Sequence, residues 1–445
     1  MKGGNIIIRG ILMVVTVFVL SLYFFPFDLR FMPSVNTKMA MAGIGLFVIA
    51  YQLVRKGGAL IDRDTFVLSL CAAFVSLAGI ISVVCNNTND YAYASYLISM
   101  WVWLSAAYVA VMWIRWVHGT VSVFIVCNYL IALCVMQCVL ALAMDFYAPL
   151  KQLVYSILDE GTVSFMEHKN RLMGLGVGLD VAGSRFAAVL IMIPFVCIRY
   201  KEKVINYLPL YILAFLIIAV IGNMIGRTTT VGLILAVVCF FVFSKFYEMG
   251  QFHKRLLLWT VGILAVVVPV CVFEYYNEPK FYDHLRFGFE GFFSLAEKGK
   301  WEVHSNEMLK QGYIFPDNMK TWVIGDGYFG TTDTNPYYIG TRWAGFYKGS
   351  DVGYSRFLFY FGLTGLLAFS FFMFMSCMVC VRRFKSMQYM FLVLLVLNFI
   401  VWLKVSTDIF LVFALFLCIS KEENDAYEER MLQEAENGAL PVAEE

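Results

Sequence analysis

Four arginines are the residues best suited to chemistry in this chain: Arg171, Arg185, Arg227 and Arg356. Each lies where a polar stretch meets a long apolar run. A guanidinium keeps its charge at physiological pH and can grip a phosphate through two parallel N–H donors. Inside an apolar run it is costly unless it reaches water, pairs, or lines a polar cavity. Four at one depth predict a shared anion such as a diphosphate. Around them are groups that could accept a proton or hold a sugar hydroxyl: Asp326, Asp351, His168 and His304, with Glu302, Glu307 and His284 in the same long polar stretch. That stretch is also rich in Tyr and Trp, among them Tyr275, Tyr282, Trp301, Trp322, Tyr328 and Tyr347. Aromatic faces suit both the C–H faces of sugars and the edge of a membrane. The polar stretches at 145–180 and 274–353 hold no His-x-x-x-His or Asp-x-Asp spacing, so neither a metal nor any other cofactor is predicted. Lys404 and Asp408, spaced i and i+4, predict a buried ion pair.

The elements that must carry these residues follow from composition. The 445 residues are 60% hydrophobic and 15% charged, against about 25% charged in soluble domains. Mean hydropathy is +0.73. The apolar residues come in runs of roughly 17–25, each able to cross a bilayer core as a helix. Spans are predicted near 6–25, 39–54, 65–85, 94–114, 120–144, 181–198, 206–223, 228–244, 256–273, 354–380, 387–403 and 406–420. The fold class is therefore an all-α polytopic membrane protein of about 12 transmembrane helices, with residues 1–420 as one membrane domain. The first run has no small-residue cleavage site and is predicted to stay as a span.

Short connections rich in Lys and Arg (Arg55, Lys56, Arg63; Arg115; Arg199, Lys201, Lys203; Lys245, Lys254, Arg255; Arg382, Arg383, Lys385) alternate with connections that hold only Arg30, Lys38, Arg227 and Lys404. The basic set predicts the cytoplasmic side, which puts both termini there. Two segments then face outward: a loop at 145–180 and a large loop at 274–353, between spans nine and ten. Residues 421–445 carry nine acids against Lys421 and Arg430 and predict a solvated, largely disordered cytoplasmic tail, with a short helix within 422–433 as the alternative. The eleven cysteines lie in or at the ends of apolar runs and act as small apolar residues; Cys377 and Cys380 form a CxxC with no second ligand pair. No nucleic-acid partner is predicted.

Four stretches carry a resemblance: HKNRLMG at 168–174 running on to DVAGSRFA at 180–187; IGRTTTVGLIL at 225–235; IGDGYF at 324–329; and SDVGYSR at 350–356, followed by YFGLTG at 360–365. Their order around a large outward loop resembles the O-antigen and capsule polymerases of the Wzy type, within the O-antigen ligase superfamily, over residues 165–410. The resemblance implies polymerisation of undecaprenyl-pyrophosphate-linked oligosaccharide repeats at the periplasmic face of a bacterial inner membrane. Partners would be those lipid-linked glycans and the bilayer, with a chain-length regulator as a further candidate. It implies catalytic roles for Arg227, Asp351 and Arg356. It implies pyrophosphate or sugar contacts for Arg171 and Arg185, as for Arg227 and Arg356; Asp326, Tyr354, His168 and His304 are the further predicted substrate contacts. Arg342, with Gly353, matches an Arg and Gly separated by ten residues in the family's outer loops. Ligases carry a His-Asn element where this chain has Asp351 to Tyr354, which favours polymerase over ligase. Transport of lipid-linked oligosaccharide is the reading from a different class.

Overall fold

A chain segment in lipid must satisfy its own backbone N–H and C=O groups, and a single segment does so as a helix. In a computed structural model, which describes residues 6–56, 62–168, 171–244, 248–330 and 345–439, the apolar runs fold mainly as helices. In chain order the helices are α1 (Ile6–Phe24), α2 (Thr37–Lys56), α3 (Arg63–Asn86), α4 (Tyr96–His118), α5 (Val123–Phe146), α6 (Ala148–Ile157), α7 (Glu160–His168), α8 (Leu179–Arg199), α9 (Lys201–Val204) and α10 (Leu208–Ile225). They continue with α11 (Thr229–Phe243), α12 (Gln251–Asn277), α13 (Pro279–Gly288), α14 (Glu290–Lys298), α15 (His304–Gly312), α16 (Met319–Ile324), α17 (Gly353–Arg383), α18 (Gln388–Trp402), α19 (Phe410–Leu417) and α20 (Lys421–Ala439). A small antiparallel ribbon, β1 (Asp28–Leu29) with β2 (Met32–Asn36), joins α1 to α2.

Each predicted span contains a helix. Among the described residues nine helices are long and apolar enough to cross a bilayer, which makes the protein an all-α polytopic membrane protein. The three that fall short of that measure are α2, diluted by Lys38, Gln52, Arg55 and Lys56, and the short helices α11 and α19, of 15 and 8 residues. The two long polar stretches are also helical: α6 and α7 lie in the first, α13 to α16 in the second.

At the centre is α8, whose apolar stretch is 89% buried. It packs against α5, α10, α11 and α18. The approach to α11 depends on a missing side chain: a Cβ on Gly232 would lie 2.2 Å from the Ala187 Cα. Small residues at such a crossing let helix backbones close together in lipid. By contrast, none of the apolar stretch of α12 is buried within the protein, and Leu258, Val266 and Phe273 all face outward. Lipid is the natural cover for that surface.

The 31-residue α17 is broken at Gly362, which has φ +66°. A break strands backbone carbonyls, and the IGDGYF segment supplies their donors. The Asp326 N–H donates to Phe359 O at 2.6 Å and the Gly327 N–H to Tyr360 O at 3.1 Å, where Ser82 Oγ also donates at 2.6 Å. A Cβ on Gly362 would sit 2.4 Å from the Val323 carbonyl carbon. Gly362→Ala therefore combines a left-handed backbone with a backbone clash. Together they should cost about 2 kcal/mol or more, read as a lower melting temperature of the detergent-purified protein.

The acidic tail corrects the expectation of disorder. Over Lys421–Ala439 it is the helix α20, folded back against the basic end of the bundle. Glu423 accepts from Arg115 Nε at 3.0 Å and Nη2 at 2.9 Å, and from the Val121 N–H at 3.0 Å. Asn424, 1% exposed, accepts from the Val123 N–H at the start of α5. Glu428 pairs with Arg199 at 2.8 Å and Glu434 with Lys203 at 2.8 Å. Residues predicted to face the cytoplasm thus meet an acidic partner from the same chain.

Candidate anion-binding site

Arg227 opens α11 from a loop knotted by its own threonines. Thr229 Oγ1 donates to Gly222 O and Gly226 O at 3.0 and 2.8 Å, Thr230 Oγ1 donates to Asn223 Oδ1 at 2.6 Å, and Thr228 Oγ1 donates to Asp180 Oδ1 at 2.5 Å. These bonds tie the loop to α10 and α8, so the guanidinium starts from a rigid base. Arg171 arrives from a different segment, between α7 and α8. Both guanidinium carbons lie 4.5 Å from the ring centroid of Phe287 on α13, within cation–π range.

The two arginines line one cavity of about 1000 Å³, together with Arg286, Lys298 and His304 and four carboxylates, Glu290, Glu297, Glu302 and Glu307. Most of the cations already have partners. Arg286 is gripped by both oxygens of Glu297, at 2.6 and 2.8 Å, and Lys298 pairs with Glu302 at 2.8 Å. Arg227, 13% exposed, is paired with Glu290, whose other oxygen accepts from the His304 N–H at 3.1 Å. Arg171 has no hydrogen bond or ion pair among the described residues. Burial, and then the like charge of Arg227, press its pKa below the ordinary arginine value, while Asp180 pulls it back. An anion beside Arg171 would relieve both the burial and the repulsion. The cavity can therefore bind an anion at Arg171 directly, and a larger one at both arginines once Glu290 swings aside.

The other sequence-predicted residues lie elsewhere. Arg185 is buried; its Nη1 donates to Phe24 O at 2.6 Å and its guanidinium faces the rings of Phe25 and Trp103. Arg356 is held between the rings of Phe329 and Phe346, at 3.6 and 3.9 Å, and donates to Ser406 Oγ at 2.6 Å and Phe329 O at 3.0 Å. The expected four-arginine cluster is thus corrected to a pair. Arg185 and Arg356 are buried charges whose hydrogen bonds go to the chain itself, which is how such groups become tolerable.

Asp326 is occupied as well: it accepts from Thr321 Oγ1 at 2.6 Å and Tyr347 Oη at 3.0 Å. Tyr354 Oη donates to Phe399 O at 3.1 Å, within the bundle. Asp351 does not line the arginine cavity. Partial removal from water and the Asp180 carboxylate raise its pKa above the usual range, with Arg356 and Lys404 pulling the other way. His304 does line the cavity, at the first turn of α15. His168 ends α7, and Arg342 lies outside the described residues.

The predicted Lys404–Asp408 pair is not made. Helix α18 ends at Trp402, so the i, i+4 geometry is lost; Lys404 Nζ reaches Asp180 Oδ1 at 2.5 Å instead, and Asp408 Oδ1 accepts from the Phe410 N–H at 2.9 Å. The Lys404–Asp180 pair ties the last helices to α8 and, through Thr228, to the Arg227 loop.

Sequence reading overlooked Phe287, Arg286 and Glu290. Their signal was present in the run His284-Leu285-Arg286-Phe287-Gly288-Phe289-Glu290, which packs a base, a cation, two rings and an acid into seven residues. Helix α13 is positioned by Lys280 Nζ, which donates to Asp145 O at 2.7 Å, and by His284, whose Nε2 lies 3.2 Å from Asp145 Oδ2. Among the described residues, no group of three or more His, Cys, Asp or Glu side chains could hold a metal ion. The chain matches no family model, no curated protein and no solved structure.

Proposed function

We propose that the protein is a membrane glycosyltransferase that joins undecaprenyl-pyrophosphate-linked oligosaccharide repeats into O-antigen or capsular polysaccharide at the periplasmic face of a bacterial inner membrane. The observation that carries this reading is the convergence of Arg171 and Arg227 on Phe287 at a cavity of about 1000 Å³ in a protein built for the bilayer. A lipid diphosphate has its tail in the membrane and its sugars outside, so a cation pair between spanning helices and a helical lobe suits it. The arginines would hold the donor diphosphate and stabilise the negative charge that grows on it as the bond to the sugar breaks. Phe287 and the neighbouring Phe293 add apolar ring surface to the lining of the cavity. Both substrates are tethered to one membrane, which supplies proximity. No nucleotide is needed, because the diphosphate is itself the leaving group.

The half-buried charges Asp180, Lys404 and Asp408 favour transport of lipid-linked oligosaccharide as the second reading, since charged side chains inside a bundle often mark a transport path. Deleting the gene in the source organism and analysing its glycolipids separates the readings. A polymerase loss leaves single repeats on the final acceptor in place of a ladder of chain lengths. A ligase loss leaves long chains on undecaprenyl. A transporter loss leaves unpolymerised repeats on the cytoplasmic face and none outside; either of the last two results overturns the proposal.

A further inference from the structure

A second cavity shares Arg171 with the first. It measures about 100 Å³, and its polar lining is Asp145, Lys151, Tyr155, Glu167, Arg171 and His284. It is large enough to admit the hydroxyl-bearing edge of a sugar. His284 is the buried member, with its side chain 9% exposed and Nε2 3.2 Å from Asp145 Oδ2. A carboxylate on one ring nitrogen fixes that nitrogen as the N–H donor and leaves the lone pair on the other, here Nδ1. Asp145 sits in the last turn of α5, where the helix end favours a positive charge, such as an imidazolium. Lys280, which donates to Asp145 O, and Lys151, Glu167 and Arg171 are the other charged groups around it.

We propose that His284, oriented by Asp145, is the base that accepts the proton of the acceptor hydroxyl, and that Arg171, which lines both cavities, marks the junction where acceptor and donor meet. This rests on the glycosyltransferase reading. In the step, the acceptor oxygen forms a bond to C1 of the donor sugar. The bond from C1 to the diphosphate oxygen breaks, and its electron pair leaves with the diphosphate. The acceptor proton passes to Nδ1, giving an imidazolium held against Asp145, and is later released to water. The larger cavity takes the leaving group, the smaller one takes the nucleophile, and one guanidinium touches both.

The alternative is that Asp145 and His284 only anchor α13. His284→Gln separates the two, because a glutamine can still donate an N–H to Asp145 but cannot take up the proton. Two quantities are measured on the full-length protein: polymer formed in membranes of the source organism, and affinity of the purified protein for inorganic pyrophosphate. The expected result is a loss of polymer of about 100-fold or more, the usual worth of a general base, with pyrophosphate affinity within about twofold of the parent's. Polymer within about threefold of the parent's in His284→Gln overturns the base role. If the Gln variant does not accumulate, His284→Ala is assayed with added imidazole: return of polymer supports the proposal, and no return overturns it. A parent protein that fails to bind pyrophosphate would defeat the diphosphate reading itself, a result distinct from either outcome for His284.

Discussion

Alanine at Arg171 and Arg227 together removes pyrophosphate binding, with affinity falling by about 100-fold or more, while the protein still inserts and accumulates. Hydrogen bonds to charged groups are worth about 1.5–3 kcal/mol each, and 1.4 kcal/mol is a factor of ten. Losing two such contacts accounts for the size. Accumulation should survive because neither side chain is a packing centre. Arg171 makes no hydrogen bond among the described residues, and Arg227 gives up one pair with Glu290, itself 34% exposed. The same change at Arg185 or Arg356 should act differently. Arg185 satisfies the Phe24 carbonyl and Arg356 bridges Ser406 to Phe329 O. Their loss strands buried acceptors at about 1–3 kcal/mol each and should lower protein yield before it touches ligand affinity. Isothermal titration with pyrophosphate, beside the detergent melting temperature of each variant, checks both halves. Equal affinity in the double variant and the parent would remove the anion site.

The second large effect belongs to Lys404 and Asp180. Replacing Lys404 by Met leaves the half-buried Asp180 carboxylate, at 24% side-chain exposure, without its cation. Removing one partner of such a pair typically costs about 3–5 kcal/mol, whereas replacing both by apolar residues can be close to neutral. Lys404→Met alone should therefore nearly abolish folded protein, and Lys404→Met with Asp180→Leu should restore much of it. The double variant still loses the bond from Thr228 to Asp180 that steadies the Arg227 loop, so weaker pyrophosphate binding is expected in the recovered protein. Fluorescence-detected size-exclusion profiles of the three variants measure the cycle. Simple addition of the two single effects would show that the pair is uncoupled.

The helices were legible because lipid imposes a minimum apolar length on a helix: every predicted run contains one, and nine among the described residues are long and apolar enough to cross a bilayer. The nearness of two arginines was legible too: Arg227 lies just before α11 and Arg171 between α7 and α8, and both line one cavity. Direction was not. Position at a boundary says nothing of which way a side chain turns, so Arg185, one turn further into α8, points to the Phe24 carbonyl and away from the cavity. The IGDGYF segment shows the same limit. Its glycines carried part of the resemblance, yet Gly325 and Gly327 take positive φ so that the segment can approach the break in α17. Only the partner carbonyls at Phe359 and Tyr360 explain that spacing, and they lie more than thirty residues downstream. Lys404 and Asp408 misled because spacing implies contact only while the helix continues, and α18 stops at Trp402. The tail looked disordered because its own sequence offers little apolar surface. Its partners, Arg115, Arg199 and Lys203, belong to connections far earlier in the chain.

That arrangement bears on how the protein is made. Helices α4, α5 and α8 leave the ribosome and enter the membrane long before residues 421–434 exist. Until those residues emerge, Arg115 and Arg199 face water or lipid headgroups, and the backbone N–H groups of Val121 and Val123 lack the acceptors they finally receive. Helix α20, translated after α4, α5 and α8, is thus a latch on an earlier-made part of the bundle, and chains cut short before it would carry an open, cationic end that quality-control proteases can recognise.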